Sequence, residues 1–139
     1  MLGRLNHVGV AVPSIEAAKA TYRDLYGVAE NAMTPTRELP AQGVRFAFVN
    51  FANSQIELIE PLGPNSPIVK FLQRNPNGGQ HHVCFEVADI HEARDAMATK
   101  GASVLGEPRI GAHGTLVLFI HPRNSNGVLI ELMETPRGD

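Results

Sequence analysis

The sequence predicts an α+β fold made of one supersecondary module that occurs twice along a chain of 139 residues. Residues 5–12 match residues 80–87 at an offset of 75 positions, and residues 56–60 match residues 130–134 at an offset of 74. In both copies the first match precedes a segment with helical periodicity, and the second match ends a series of strand-like segments. A repeat at this spacing predicts two tandem βαβββ modules, each packing its apolar face against the other.

The first module is expected to span residues 1–62 and to begin with a valine-rich strand. Pro13 and Ser14 suit the end of that strand and the N-cap of a helix. Gly27 follows the helix as a residue that favours helix ends, which leaves about three helical turns. The apolar positions of this helix recur at spacings of three and four, at Ile15, Ala18, Tyr22, Leu25 and Tyr26. The remaining strands of the module are predicted at residues 29–33, 43–51 and 54–60.

A linker at residues 63–78 is expected to contain a short helix, because Ser66 can cap it and Pro67 suits a first helical position. The second module is then expected to span residues 79–139. Its helix begins after Asp89, a good N-cap residue. The strands of the second module are predicted at residues 80–87, 102–105, 115–121 and 128–134.

Composition and charge exclude several classes of function. The 12 basic and 14 acidic residues give a net charge of -2, which offers no cationic surface for nucleic acid or anionic lipid. The longest apolar runs, such as residues 116–120, are far shorter than the roughly 18 residues of a membrane span. A single cysteine cannot form an internal disulfide, and strand-like sequence begins by Leu5, before any leader peptide would end. We therefore expect a cytoplasmic protein with neither nucleic acid nor a membrane as partner.

Four residues with metal-binding chemistry occupy equivalent strands of the two modules. His7 and His82 lie on the first strand of each module, and Glu57 and Glu131 lie on the last. Since side chains alternate along a strand, each histidine points away from the apolar residues that pack under the helix. Two imidazole nitrogens and two carboxylate oxygens suit Co²⁺, Mn²⁺, Fe²⁺, Ni²⁺ or Zn²⁺. The pattern predicts one divalent ion per chain at these four residues.

The choice of His82 over its neighbour His81 depends on the repeat. His81 matches Asn6, whereas His82 matches His7, and an error of one residue in the strand register would exchange the two faces. Taken singly, none of the four residues requires a metal. A lone histidine in a strand is more often a packed or surface residue than a ligand, and a lone glutamate is more often solvated. It is their joint occurrence at matched positions that favours a metal site.

Other polar residues near the predicted site are interpreted as non-ligands. Gln55 shares a strand face with Glu57 and is expected to be a neighbouring hydrogen-bonding residue. His113 and His121 are interpreted as exposed polar residues, although either could serve the site from a loop or strand. Cys84 is interpreted as a small packed residue, because nothing in its sequence neighbourhood would depress the pKa of its thiol.

This arrangement resembles the vicinal oxygen chelate superfamily, which has the glyoxalase fold. Within the superfamily, residues 5–14 (LNHVGVAVPS), 55–87 (including GGQHHVCFEV) and 111–132 (GAHG, HP and GVLIEL) are similar to the methylmalonyl-CoA epimerases. The likeness covers nearly the whole chain. It implies that the two βαβββ modules form a curved, barrel-like mixed sheet around a metal site.

The resemblance also implies an activity, an isomerase that interconverts (2R)- and (2S)-methylmalonyl-CoA by C2 proton abstraction through a metal-stabilised enolate. It implies a homodimer, an acyl-CoA thioester substrate and a divalent metal, often cobalt, with Mn²⁺, Ni²⁺ or Zn²⁺ as alternatives. The implied ligands are His7, His82 and Glu131, with Glu57 where family members have Gln or Glu. Glu131 is also the implied proton-transfer group. Some members carry a further glutamate where this chain has Phe46, so the second base and the substrate-binding residues stay open.

Alternatives within the superfamily differ in substrate or lack catalysis. An ethylmalonyl-CoA epimerase would differ by one methylene in the substrate, and a glyoxalase I would act on a glutathione hemithioacetal. An extradiol dioxygenase would use Fe²⁺ with two histidines and one glutamate. A drug-sequestering resistance protein would bind its ligand without metal, which the four candidate ligands argue against.

Overall fold

The computed structural model describes residues 1–137, which form eight strands and three α-helices. In chain order these are β1 Leu5–Ala11, α1 Ile15–Asp24, β2 Arg37–Leu39, β3 Val44–Asn50, β4 Gln55–Pro61, α2 Pro67–Arg74, β5 Gly79–Val87, α3 Ile90–Thr99, β6 Val104–Ile110, β7 Leu116–Ile120 and β8 Ile130–Glu134. The strands form one mixed sheet in the order β2-β3-β4-β1-β5-β8-β7-β6. β5 and β8 are parallel, whereas β3 pairs with β4 and β7 pairs with β8 in antiparallel fashion. The predicted α+β class, with βαβββ order on either side of a linker helix, is confirmed.

The described chain has two compact units, of which one comprises residues 8–81 and the other comprises residues 1–7 and 82–137. The predicted module boundaries at residues 62 and 79 remain a prediction. Within residues 1–137, no helix has the length and apolar character needed to cross a membrane.

The unit of residues 8–81 packs α1 against apolar residues of its strands. The Ser14 side chain accepts a hydrogen bond from the Ala17 backbone N–H, as expected of an N-cap. A second oxygen also serves this helix terminus, because Oε1 of Glu60 in β4 accepts from the Ile15 N–H at 2.9 Å. The core under the helix consists of Val12, Ile15, Met33, Ala47, Val49 and Leu58.

The other unit repeats this construction around α3. The Asp89 carboxylate accepts from the backbone N–H groups of His91 and Glu92, at 2.9 and 3.0 Å. The side chain of Glu134 in β8 also accepts a hydrogen bond from the Ile90 backbone N–H at 3.0 Å. Glu60 accepts the matching hydrogen bond from the Ile15 backbone N–H. The core consists of Val87, Ile90, Ala93, Leu118, Ile120 and Leu132. The repeat therefore reproduces both the core and the double cap of each helix.

One predicted strand is wrong. Residues 29–33 do not form a strand, because Glu30–Ala32 form a 3₁₀ turn and Met33 contributes only an isolated bridge to Val49. The strand of this region is β2, which pairs with the start of β3. Glu, Asn and Ala have low strand propensity, so the local sequence favours a turn where the repeat suggested a strand.

Two further expectations need correction. Leu25 and Tyr26 lie beyond the end of α1 and are 69% and 67% exposed, so they do not belong to the buried face of the helix. The strand predicted at residues 102–105 is longer and lies further along the chain, as β6. Its pairing with β7 contains an irregularity between Leu105 and Arg109, which interrupts the alternating pattern that identifies a strand in the sequence.

Candidate metal centre

The first strand of each module has two chemically different faces. In β1, His7, Gly9 and Ala11 are buried on one side, whereas Val10 packs on the other side against the core under α1. In β5, His82 lies on the side opposite Phe85, which packs against the core under α3. We call these sides the histidine face and the helix face. The predicted alternation is therefore confirmed in both modules.

Three of the predicted residues meet in one buried cluster. Nε2 of His7 lies 3.2 Å from Nε2 of His82, and Oε1 of Glu131 lies 3.1 Å from each of these nitrogens. Glu131 reaches this position because β8 pairs in parallel with β5, where Glu131 is opposite Cys84, two residues from His82. The three residues are only 1%, 3% and 6% exposed, which excludes a role as solvated surface groups.

Glu57 lies on β4 and is equally buried, at 6% exposure. Its neighbours Ile56 and Leu58 belong to the helix face, so Glu57 points to the opposite side of the strand. His7, Glu57, His82 and Glu131 each offer one ligand atom, and these four atoms lie within 4.8 Å of one another. The structure thus brings together the four residues that the repeat singles out.

The chemistry and spacing of these side chains fit a divalent cation. A neutral imidazole has one lone-pair nitrogen and a carboxylate has only acceptor oxygens, so their close approach is best stabilised by a shared positive charge. Ligand atoms bound at about 2.1 Å and at right angles to one another are about 3.0 Å apart. The distances of 3.1 and 3.2 Å between the three clustered atoms are close to that value. The group could therefore hold a divalent metal ion.

Aromatic side chains stand opposite both carboxylates. Phe48 of β3 is the register partner of Glu57, and Phe119 of β7 is the register partner of Glu131. The ring of Phe119 also lies edge-on to His82, with centroids 6.0 Å apart. Phe46 shares the histidine face with Phe48, and the two ring centroids are 5.8 Å apart. Such apolar neighbours lower the local dielectric and strengthen interactions among the buried charges.

His113 is a residue whose position the sequence interpretation missed. It was expected to be exposed, yet its ring centroid lies 5.6 Å from that of His7 and its Nε2 is buried. His113 sits in the loop between β6 and β7, and neither strand periodicity nor the repeat assigns a direction to a loop side chain. The sequence therefore contains no pattern that predicts the position of His113 near His7.

Cys84 packs as interpreted, whereas His121 is half-buried and not exposed as expected. The ring of His81 packs against Phe71 at 5.2 Å, in an edge-on arrangement. His121 caps a 3₁₀ turn, where its Nδ1 accepts from the Arg123 N–H. Cys84 is buried in a cluster with Val117 and Met133, and Gln55 donates to Asn50 at 2.6 Å.

Comparison with known proteins identifies relatives over nearly the full chain. Residues 6–119 match the model of the Glyoxalase/Bleomycin resistance protein/Dioxygenase superfamily. An ethylmalonyl-CoA/methylmalonyl-CoA epimerase of Cereibacter sphaeroides is 52% identical over 134 residues, which cover 95% of this chain and 98% of that protein. The mitochondrial methylmalonyl-CoA epimerase of Mus musculus is 50% identical over 132 residues, covering 94% of this chain and 72% of that protein.

Solved structures give the same result at the level of the fold. The crystal structure of methylmalonyl-CoA epimerase from Mycobacterium tuberculosis superposes with a TM-score of 0.84 at 32% identity, covering 96% of this chain and 88% of that one. A methylmalonyl-CoA epimerase in complex with methylmalonyl-CoA and NH4+ gives a TM-score of 0.85 at 33% identity, covering 96% and 95%.

Proposed function

Because this chain belongs to the Glyoxalase/Bleomycin resistance protein/Dioxygenase superfamily, we propose that it is a metal-dependent epimerase of methylmalonyl-CoA. It would interconvert the (2R) and (2S) forms. The observation that carries this proposal is the buried cluster of two histidines and two glutamates. The cluster occurs in a chain about half identical, over nearly its whole length, to proteins named for this activity.

We propose His7, Glu57, His82 and Glu131 as the metal ligands. Co²⁺ is the proposed ion, with Mn²⁺, Ni²⁺ and Zn²⁺ as alternatives that the same borderline donors would accept. Bound there, a divalent ion would supply positive charge to the enolate oxygens that develop when the substrate loses its C2 proton.

The chain's own carboxylate performs the proton transfer in this proposal. The C2–H bond lies between a thioester and a carboxylate, so both carbonyls stabilise the electron pair left when that bond breaks. Glu131 accepts the proton from C2, and the electron pair moves to oxygen as the enolate forms. A proton then returns to the opposite face of C2, either from Glu131 after the enolate turns or from a second acid, in which case Glu131 releases its own proton to solvent and the second acid regains one. Either route leaves no net change in atoms or electrons.

Burial supports this role for Glu131. The carboxylate is almost wholly removed from solvent and faces the ring of Phe119 across the β7–β8 register. A poorly hydrated carboxylate is a more effective base than one in water, because less solvation is lost when it takes up a proton. Exclusion of water also protects the enolate from uncontrolled protonation.

The proposed assembly is a homodimer located in the cytoplasm. The superfamily likeness supports the dimer, and the small net charge and absence of a membrane-spanning helix within residues 1–137 agree with the location. Sedimentation equilibrium of the purified protein at micromolar concentration should give twice the mass of 15.0 kDa. A monomer under those conditions would contradict the assembly proposal without affecting the chemistry.

The activity is tested by isotope exchange in heavy water. The Co²⁺-loaded protein should replace the C2 proton of methylmalonyl-CoA with deuterium while it interconverts the epimers. Mass spectrometry measures the deuterium, and circular dichroism or a coupled mutase measures the epimers. Glu131→Gln should lose exchange even where metal is retained, because an amide is a very poor base. Loaded wild-type protein that shows neither exchange nor epimerisation, with ethylmalonyl-CoA also inert, would overturn the assignment in favour of a glyoxalase or a binding protein.

Ethylmalonyl-CoA is a second candidate substrate, since the Cereibacter sphaeroides relative is named for both compounds. One methylene changes binding in an apolar pocket by about 1–3 kcal/mol, or about 10–200-fold in kcat/KM. Competition between the two thioesters in one reaction would measure the preference directly. A ratio near one would mean that the site does not distinguish them.

A further inference from the structure

The side chain of Asn6 connects His7 to a second buried carboxylate. Oδ1 of Asn6 lies 2.7 Å from Nδ1 of His7, and Nδ2 of Asn6 donates to Oε2 of Glu86 at 2.9 Å. Glu86 is 5% exposed, and the same oxygen meets Nε of Arg4 at 3.3 Å. Asn6, Glu86 and Arg4 do not belong to the proposed set of metal ligands.

The carboxylate of Glu86 determines which groups donate and which accept along this chain of hydrogen bonds. A carboxylate only accepts hydrogen bonds, so the amide of Asn6 must turn its NH₂ group toward Glu86. The amide oxygen of Asn6 then faces the ring of His7, and this oxygen also only accepts. The proton of a neutral His7 must therefore lie on Nδ1, which leaves the lone pair on Nε2.

That lone pair is the one directed into the cluster. Nε2 of His7 is the atom that approaches His82 and Glu131, at 3.2 and 3.1 Å. A neutral imidazole binds a metal through its unprotonated nitrogen, and a hydrogen bond on the other nitrogen decides which one that is. The Asn6 contact thus selects the tautomer that a ligand needs.

The backbone holds the two ends of this connection in register. The Gly3 N–H donates to the Glu86 carbonyl at 2.7 Å, and the Glu86 N–H donates to the Arg4 carbonyl at 3.0 Å. Glu86 is therefore fixed beside Gly3 and Arg4, which lie three and two residues before Asn6. The position in β5 that matches Asn6 is His81, whose ring packs on Phe71.

We propose that Asn6 is a positioning residue that, held by Glu86, fixes His7 in the Nδ1-protonated tautomer with Nε2 directed at the metal. The catalytic consequence rests on the proposed function, whereas the tautomer and its effect on metal affinity do not. Neither Asn6 nor Glu86 touches the substrate in this proposal. Both act through the orientation of His7.

The first test reads the tautomer in the metal-free protein. Long-range proton–nitrogen NMR of ¹⁵N-histidine-labelled protein at about pH 8.5, where imidazole is ordinarily neutral, distinguishes a protonated Nδ1 from a protonated Nε2. Wild-type His7 should show protonated Nδ1, and Asn6→Leu should shift His7 toward a mixture or the other tautomer. A protonated Nε2 in wild type, or the same spectrum in Asn6→Leu, would overturn the proposal.

The second test measures Co²⁺ affinity by the visible absorption of the bound ion. Asn6→Leu should weaken binding by about 10–100-fold, the usual cost of losing a ligand's supporting hydrogen bond. Glu86→Gln should have a smaller effect, because the new amide can face Asn6 with either its oxygen or its nitrogen. His81→Leu, the change at the matched position, should leave the affinity within about twofold and is the control.

A double variant separates this role from general damage to the fold. Asn6→Asp together with Glu86→Gln reverses the polarity of the pair, since the new amide at position 86 donates to the new carboxylate at position 6. That carboxylate still accepts from Nδ1 of His7. The double variant should bind Co²⁺ more tightly than Asn6→Leu and show the wild-type tautomer, whereas failure on both counts would refute the proposal. Because no thioester is used, these results stand whether or not the epimerase assignment holds.

Discussion

The two modules are alike where they cap their helices and unlike beside their histidines. Glu60 and Glu134 bind the first N–H of α1 and α3 in matching fashion, at 2.9 and 3.0 Å. Next to the histidines, however, one module carries an asparagine that hydrogen-bonds the ring, and the other carries His81, which packs on Phe71. Features that build the module are duplicated, and features that adjust the site have diverged.

A second similarity concerns the carboxylates of the site. Phe48 stands opposite Glu57 and Phe119 stands opposite Glu131 in the antiparallel registers. The two glutamates nevertheless need not be equivalent in function, because the family likeness allows Gln at the position of Glu57. Differences between matched residues are therefore the most informative targets for mutation.

The largest effect is expected at the histidines of the second module. His82→Ala removes an Nε2 that lies 3.1 Å from Glu131, so metal binding should fall by more than the 10–100-fold cost of losing a supporting hydrogen bond. His81→Ala should retain its metal, because that ring packs against Phe71. Elemental analysis of untagged protein measures both. The reverse pattern would show that the functional strand register differs by one residue.

The next effect compares the two carboxylates. Glu131→Gln should lower the rate of C2 deuterium exchange by at least about 100-fold, the lower range for a general base. Glu57→Gln should lower it by less than about tenfold, because an amide oxygen can still serve as a neutral ligand. Both rates are measured on protein with a confirmed full metal load. Equal losses in the two variants would assign Glu57 a direct part in proton transfer.

A smaller effect is expected for the cap of α1. Ser14→Ala removes the side-chain oxygen that accepts from the Ala17 N–H, and should lower the free energy of unfolding by about 1 kcal/mol. Since a hydroxyl does not titrate, this loss should be the same from neutral to acidic pH. Urea unfolding followed by circular dichroism measures it. A loss that varied strongly with pH would mean that Ser14 has a charged partner.

The smallest effect is expected for the Asp89 cap of α3, whose contribution to stability depends on pH, unlike that of the Ser14 cap of α1. The hydrogen bond from the Glu92 backbone N–H holds the pKa of Asp89 below its usual 3.8. A depressed pKa in the folded state stabilises the protein above the unfolded pKa, and this contribution is lost as pH falls through the folded value. Asp89→Asn keeps a capping oxygen but cannot titrate. Its stability relative to wild type should therefore rise as pH is lowered from about 5 to 2, and a constant difference would contradict the mechanism.

The repeat is the reason that much of the site could be predicted. A constant offset requires His82 and not His81 to match His7, and the structure places those residues accordingly on the histidine face. That the four residues bind a metal stays a prediction, although their ligand atoms lie within 4.8 Å of one another. Strand alternation also predicted which apolar residues pack under the helices.

What the sequence could not predict depends on partners distant in the chain or on loop conformation. Asn6 and Glu86 are 80 residues apart, and neither periodicity nor the repeat brings them together. The inward position of His113 depends on the path of the loop between β6 and β7. The position of β2 depends on pairing with β3, which overrode the weak local preferences of residues 29–39.

The last strand of each module carries two carboxylates three residues apart, which point to opposite sides of the sheet. Glu57 and Glu131 face the site, whereas Glu60 and Glu134 reach the helix ends. A slip of one residue in strand pairing would drive both acids of a strand to the wrong sides at once, one into apolar packing and one away from its helix. A sheet paired one residue out of register would therefore be strongly destabilised, because it buries unpaired carboxylates. The spacing of two acids within four residues therefore favours the correct pairing of the sheet and also serves its chemistry.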